Sequence, residues 1–298
     1  DIVLGLDVVL ADGTAVTTGG WPRGAVGPDL TQLFVGSEGT LGVITGARLR
    51  LHPAPVDEQR SAWQLDSFAD GLDVMRRVIQ RGATPAVLRL YDPAEADRTY
   101  HTGSDALLLV LDEGDPGLVA ATMAVVADVC GASPAARPSD PAHVAHWLER
   151  RNDVSALEAL ISRGYTVDTM EVTGAWADLP AIYTATIEAL TAVEGTIAAG
   201  AHQSHSYPSG GCLYFTFAGQ VEADRRDAYY RALWDAGQRA VLAHGGSLSH
   251  HHGVGLNRGR FLREALGGAF DVLAATKAAL DPQGILNPGM LGVASPWG

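Results

Sequence analysis

The sequence predicts an α+β fold in which antiparallel strands carry helices on one face. Three observations support this. Short β-branched or apolar runs bounded by glycine and proline alternate with longer stretches whose apolar residues recur at helical spacing. The order strand, helix, strand, strand, helix that begins near residue 61 partly recurs from residue 167. Finally, 298 residues at 47% hydrophobic suffice for one large core or two moderate ones.

Taken in order, residues 1–10 read as a strand, Asp12-Gly13 as a turn opening a hairpin, and the glycine-rich stretch 36–46 as the approach to a strand over 47–52. Pro53 and Pro55 then punctuate a domain boundary. Beyond it the pattern predicts a strand over 61–64, a helix over 68–80, strands over 86–91 and 106–112, and a helix over 116–129. A Pro/Ser-rich loop over 131–141 leads to a helical stretch over 141–163. A strand over 167–172, a helix over 176–192, strands over 195–202 and 211–218 and a helix over 222–243 follow. A last helix over 260–280 ends at Asp281-Pro282. The expected division is 1–54, 55–277 and a closing segment 278–298. No short-period repeat is present.

Lysine and arginine number 21 against 34 acidic residues, a formal charge of −13 that repels nucleic acid and anionic membrane surfaces. An anionic small molecule remains compatible only where local cations overcome that field. Cys130 and Cys212 fit neither a disulfide framework nor a zinc spacing and read as buried thiols. No apolar run approaches the ~20 residues of a membrane span and no signal-peptide pattern opens the chain, so a cytoplasmic protein is expected.

Three segments carry chemistry. Val35-Gly36-Ser37-Glu38-Gly39-Thr40-Leu41-Gly42-Val43-Ile44-Thr45 packs three glycines into a loop whose amides can face a phosphate or a ring oxygen. Taken alone, such glycines usually mark tight turns. Ser249-His250-His251-His252-Gly253-Val254-Gly255 sets three imidazoles side by side, which invites acid–base or metal chemistry. Consecutive residues of an extended segment point to opposite sides, so the triplet rarely ligates one ion, and no metal is expected even with His202 and His205 as further donors. A packed or solvated polar turn is the plainer alternative. Leu88-Arg89-Leu90-Tyr91-Asp92 offers a guanidinium suited to bidentate donation, or to an ion pair with Asp92.

The wording of these segments resembles the FAD-linked oxidases of the vanillyl-alcohol-oxidase, PCMH type. Gly27-Pro28-Asp29-Leu30 followed by the glycine loop is similar to the part of their FAD domain that lines the flavin. It is not a Rossmann fingerprint, because the glycine spacing differs. The resemblance therefore implies FAD as cofactor, held by Gly36, Ser37, Glu38, Gly39, Thr40, Gly42, Val43 and Ile44. The closing Leu280-Asp281-Pro282-Gln283-Gly284-Ile285-Leu286-Asn287-Pro288-Gly289 resembles the family's return from cap to flavin domain and brings Asn287 near the cofactor. The expected architecture is thus the end of a PCMH-type FAD-binding domain followed by an antiparallel-sheet-plus-helices cap.

Within the family the histidine triplet resembles the active-site motif of alkylglycerone-phosphate synthases. Gly211-Cys212-Leu213-Tyr214-Phe215-Thr216-Phe217 is similar to the strand that bears their catalytic tyrosine. The His-x-Gly-Asp-Gly-Asn motif of the hydroxy-acid dehydrogenases is absent. The resemblance assigns catalysis to Tyr214, His250, His251 and His252 and a phosphate-holding role to Arg89. It implies a transferase that exchanges the acyl group of acyl-dihydroxyacetone phosphate for a fatty alcohol through a flavin adduct; the expected partner is a lipid-like small molecule, and a homodimer stays open. One departure matters. Counting back from Glu171 and Trp176, the family's Arg-Asp pair falls on Leu157-Glu158, with Arg163 the nearest later cation. That keeps a second reading alive, FAD-dependent oxidation of a D-2-hydroxy acid, and a third in which the chain is a binding module. The family's first FAD subdomain has no counterpart ahead of Asp1. The chain is therefore expected to be the rear part of a longer protein, weak in flavin binding and poorly soluble on its own.

Overall fold

A computed structural model describes residues 2–22 and 24–293. Asp1, where the first strand was read to begin, and the last five residues of the closing segment lie outside the described residues. The chain forms two compact units, residues 1–53 with 251–298, and residues 54–250. The return to the first unit thus comes at His251, ahead of the expected 278.

In the first unit β1 (Val3–Val9) and β2 (Ala15–Thr17) form the expected hairpin. Gly13 takes φ 84° at its tip, and the Thr14 N–H donates to the Asp12 carboxylate at 2.9 Å. A short helix α1 (Leu30–Phe34) that the pattern did not reveal is capped by Asp29, which accepts from the Thr31 and Gln32 N–H groups. Strand β3 (Val43–Leu49) starts four residues earlier than expected and pairs with β1, giving the antiparallel order β2-β1-β3. A Cβ at Gly42 would lie 2.5 Å from Val8 Cγ1, so only glycine permits this approach. Leu6, Val8, Phe34 and Leu41 form the small core.

The second unit is one seven-stranded antiparallel sheet. Its elements are β4 (Asp57–Leu65), α2 (Phe68–Gln80), β5 (Val87–Tyr91), α3 (Pro93–Tyr100), β6 (Ala106–Gly114), α4 (Pro116–Gly131), β7 (Ala136–Ser139), α5 (Ala142–Arg150), α6 (Ser155–Ser162), β8 (Thr166–Ala175), α7 (Leu179–Thr191), β9 (Thr196–Tyr207), β10 (Gly210–Gly219) and α8 (Arg226–Ala243). The strand order is β7-β4-β6-β5-β9-β10-β8. It splits into two related halves. The first has the ferredoxin-like order of a split β-α-β unit, and the second repeats its first three strands. The halves join where β5 meets β9, at Leu90 opposite Gln203 and Tyr91 opposite His202.

Strand β6 shows why the sheet sits in the middle. Ala106, Leu108 and Val110 enter the larger core, while Leu107, Leu109 and Leu111 enter a second core. Each leucine buried this way contributes about 1.5–3 kcal/mol. The larger core is covered by α2, α4, α7 and α8, and the second holds Ala96 of α3 and Val144 of α5. Helices therefore lie on both faces, not on one.

Several local readings needed tertiary correction. The loop read over 131–141 contains β7, whose Pro138 stands opposite Trp63 on an edge strand, where a missing N–H is tolerated. The helical stretch over 141–163 is two helices, and so is the last one: α9 (Gly255–Leu266) and α10 (Ala269–Leu280) break at Gly267-Gly268 with Gly267 at φ 51°. Helix α3 was overlooked although Asp92-Pro93-Ala94-Glu95 is a helix-start signal: Asp92 caps the Glu95 N–H at 2.8 Å and Pro93 holds the first turn. Among the described residues, no helix is long and apolar enough to cross a membrane.

Candidate active site

Strand pairing in the second unit sets four polar side chains in one row. Tyr91 on β5 stands opposite His202 on β9, His202 opposite Tyr214 on β10, and Tyr214 opposite Glu171 on β8. Directly opposed residues share a face of the sheet. Arg89, two residues before Tyr91, belongs to the same face.

A hydrogen-bond chain orders this row. Arg89 donates from Nε to the Tyr91 hydroxyl and from Nη2 to His202 Nε2, both at 2.7 Å. Because a guanidinium only donates, His202 Nε2 must accept, so its proton sits on Nδ1 and is given to Glu95 at 2.8 Å. Burial, helped by the Arg89 charge, pushes the His202 pKa down and keeps the ring neutral. Glu95 is buried, which works to raise its pKa, yet His202 and the Thr216 hydroxyl hold its carboxyl below the usual range. The Tyr214 ring stacks on His202 at 4.7 Å and 14°, and its hydroxyl donates to Thr169 at 3.1 Å. Asp92 does not pair with Arg89. Its carboxyl accepts from the Ala201 N–H at 2.7 Å and the Tyr183 hydroxyl at 3.1 Å, and burial lifts its pKa to about 6.

Glu171, fully buried, anchors the segment that leads to the histidines. It accepts from the Ser249 hydroxyl at 2.5 Å and from the His250 N–H, while the Ser247 N–H donates to the Thr173 carbonyl at 2.7 Å. The His250 ring stacks on His205 at 4.9 Å, and its Nε2 lies 2.6 Å from the Tyr207 hydroxyl. Trp176 Nε1 fixes that strand by donating to the Tyr207 carbonyl. Glu171, Cys212 and His250 bring one donor atom each within 4.8 Å of one another. Both Glu171 oxygens accept from the segment, and burial together with the Glu171 charge lifts the Cys212 thiol to about 12, so Glu171 is a hydrogen-bonded anchor for the segment. Glu171→Gln should replace an acceptor oxygen by a donor facing the Ser249 hydroxyl or the His250 N–H. The expected cost is about 1–3 kcal/mol, read as a lower unfolding midpoint and faster amide exchange at His250; unchanged exchange would mean that Glu171 does not hold the segment.

His251 and His252 fall in the first unit, where their rings meet edge to face at 4.5 Å. The same unit holds the glycine loop. Gly36 and Gly39 take φ 82° and 74°, and Glu38 takes φ 51°. Thr40 closes the turn through its N–H and hydroxyl, both donated to the Ser37 carbonyl. The Glu38 carboxylate accepts from the Val254 and Gly255 N–H groups at the start of α9. Asn287 donates to the Glu38 carbonyl at 2.5 Å, so it pins the loop. Lys277, buried, donates to the carbonyls of Thr40 and Leu286 at 2.9 and 2.6 Å and to Asp281. Val43 and Ile44 are exposed on β3. Among the described residues, the N–H groups of Gly36, Glu38 and Gly39 donate to no protein acceptor, and a Cβ on Gly36 would meet nothing within 4 Å. An open cradle of free amides fits a cofactor's phosphate or ring oxygen.

Sequence reasoning singled out Tyr214, Arg89 and His250 but missed Glu95 and Tyr91, and it weighed His202 only as a metal ligand. Arg163 ends α6 as an exposed capping residue.

Fold and site define two units, one a sheet-and-helix unit with a buried polar row and the other carrying a cofactor-type glycine cradle. The sequence pattern of the family described as FAD linked oxidases, C-terminal domain, matches residues 54–291, and the chain belongs to that family. Its members are FAD-binding flavoproteins. The chain is 29% identical over 307 residues to the uncharacterized FAD-linked oxidoreductase YgcU of Escherichia coli O157:H7, covering 98% of this chain and 63% of that protein. It is 26% identical to the alkyldihydroxyacetonephosphate synthase of Dictyostelium discoideum, over 97% of this chain and 52% of the other. It is 29% identical to a probable mitochondrial D-lactate dehydrogenase of Danio rerio, over 96% and 59%. A solved alkyldihydroxyacetonephosphate synthase shares the fold with a TM-score of 0.74 at 24% identity, over 97% of this chain and 54% of that one. The chain thus spans less than two thirds of the curated relatives it matches.

Proposed function

We propose that the protein to which this chain belongs exchanges the acyl group of an acylated dihydroxyacetone phosphate for a fatty alcohol. The observation that carries this reading is Arg89. It is fixed on the same sheet face as Tyr214 with no carboxylate within ion-pair distance among the described residues, so its charge is left for an external anion. FAD, when bound, supplies the reactive ring, and the amides of Gly36, Glu38 and Gly39 would hold it, with Ser37, Thr40, Gly42, Val43 and Ile44 shaping the cradle. The remaining work falls to the protein. Arg89 holds the phosphate, and the departing carboxylate takes the electron pair of the broken carbon–oxygen bond. The incoming alcohol must lose a proton, which Tyr214 Oη takes up in its deprotonated form and then gives on. Neutral His202 holds the ring of Tyr214 flat, and His250, His251 and His252 assist proton transfer. No net electron transfer is required.

A second reading, oxidation of a D-2-hydroxy acid by hydride transfer, is favoured by Leu157 standing where an arginine is expected and by the likeness to the D-lactate dehydrogenase. Anaerobic flavin absorbance of the complete gene product distinguishes the two. The exchange reading predicts an unbleached flavin with a panel of D-2-hydroxy acids and incorporation of labelled long-chain alcohol into product; bleaching by any of those acids would sink it.

A further inference from the structure

We propose that a cavity between β5, α3 and α5 seats a phosphate monoester head group and that Arg150 and Arg151 grip it together with Arg89. The proposal deepens the exchange reading and rests on it for the identity of the substrate, while the site itself rests on geometry.

The cavity measures about 220 Å³ and is walled by Arg89, Arg150 and Arg151 and by the rings of Tyr91, Tyr100 and Trp147, with His146 and Thr99 completing it. It is smaller than the ~300–1,000 Å³ of sites for whole drug-sized ligands, which suits a head group. Among the described residues no carboxylate lines it, in a chain with a formal charge of −13. Among the described residues, none of the three guanidiniums has an acid within ion-pair distance; the nearest effect is a minor one of Arg150 on the exposed Asp153. Arg89 lies over Tyr91 at 4.9 Å and over Trp147 at 5.6 Å, and Arg151 lies over Trp147 at 5.4 Å. Ring stacking orients planar guanidiniums while leaving edge N–H groups free to donate.

The end of α5 accounts for part of this arrangement, since cations are favoured at a helix C-terminus. It does not account for Arg89, which comes from a strand of the sheet and converges on the same space. Three like charges around one cavity repel, and an anion relieves that repulsion. A phosphate monoester carries about −1.5 to −2 charge near neutrality and offers three oxygens for forked donation, whereas a carboxylate offers one charge and two oxygens. Arg150 and Arg151 also answer the departure at Leu157: the second cation comes from α5, and Arg163 is not needed.

The test is calorimetric titration of the flavin-loaded complete gene product with glycerol 3-phosphate at low ionic strength, with D-lactate as a second ligand. Wild-type protein should bind the phosphate ester, Arg150→Gln/Arg151→Gln should weaken that binding at least about tenfold, and Arg163→Gln should leave it unchanged. Arg150→Lys/Arg151→Lys, which keeps the charge and controls for folding, should retain more of the affinity than the glutamine pair. Equal binding by the glutamine pair, or uptake of D-lactate and not of the phosphate ester, overturns the proposal. Binding that follows the arginines in a protein that performs no acyl-for-alcohol exchange supports the site and refutes only the exchange reading.

Discussion

Replacing Tyr214 by phenylalanine should lower kcat by about 10²–10⁴-fold, the range contributed by a positioned acid–base group. The ring remains in its stack on His202 and the hydroxyl bond to Thr169 is lost, so the unfolding free energy should fall by about 1 kcal/mol. Substrate affinity should barely change, because the phosphate is held by other side chains. A variant that retains more than about a tenth of wild-type kcat would remove Tyr214 from the proton-transfer role. A collapse of stability would instead show that the residue acts as core.

Lys277→Met should be the most destabilising single change in the first unit. Lys277 and Asp281 are 6% and 2% exposed, so the ammonium is the buried counter-charge of a buried carboxylate as well as donor to two carbonyls. Removing one partner of such a pair costs about 3–5 kcal/mol, because the other is left charged and dry. Lys277→Met/Asp281→Asn should recover part of that loss, and urea unfolding of the two variants measures both quantities. The same pair gives a pH dependence. Burial works to raise the Asp281 pKa, but the bond from Lys277 and the N–H groups of Leu286 and Ile285 overcome it and hold the carboxyl below its ordinary 3.8. A depressed carboxylate stabilises the fold above its unfolded pKa, and the contribution disappears as pH falls through the lower folded value. Wild-type stability should therefore decline with acid below about pH 4, with a shallower decline in the double variant. An identical acid limb in both proteins would locate the titration elsewhere.

Much of the fold was legible because it is local. Ser67 followed by Asp70 and apolar residues at 68, 72, 75 and 79 specify α2 to the residue, and the apolar run of β6 reads as a strand, although its burial on both faces was not read from it. The misreadings are also local. Asp92-Pro93-Ala94-Glu95 was a helix start left unused, Gly267-Gly268 a helix break, and Pro138 a residue that seemed to forbid the edge strand it occupies.

What the sequence by itself determined is the class of fold, the kinship with FAD-linked oxidases, and single positions such as Tyr214 and Arg89 that sit inside recognisable runs. What only the tertiary structure decided is which residues meet. Tyr91, His202, Tyr214 and Glu171 come from four separate strands, and their row exists because β5, β9, β10 and β8 are neighbours in one register. The same applies to Arg150 and Arg151, brought to Arg89 by the docking of α5 on the second face of the sheet. Periodicity and capping are read from residues a few positions apart, whereas strand order and register are settled by which long-range burial is most favourable, and that term is spread over the whole core.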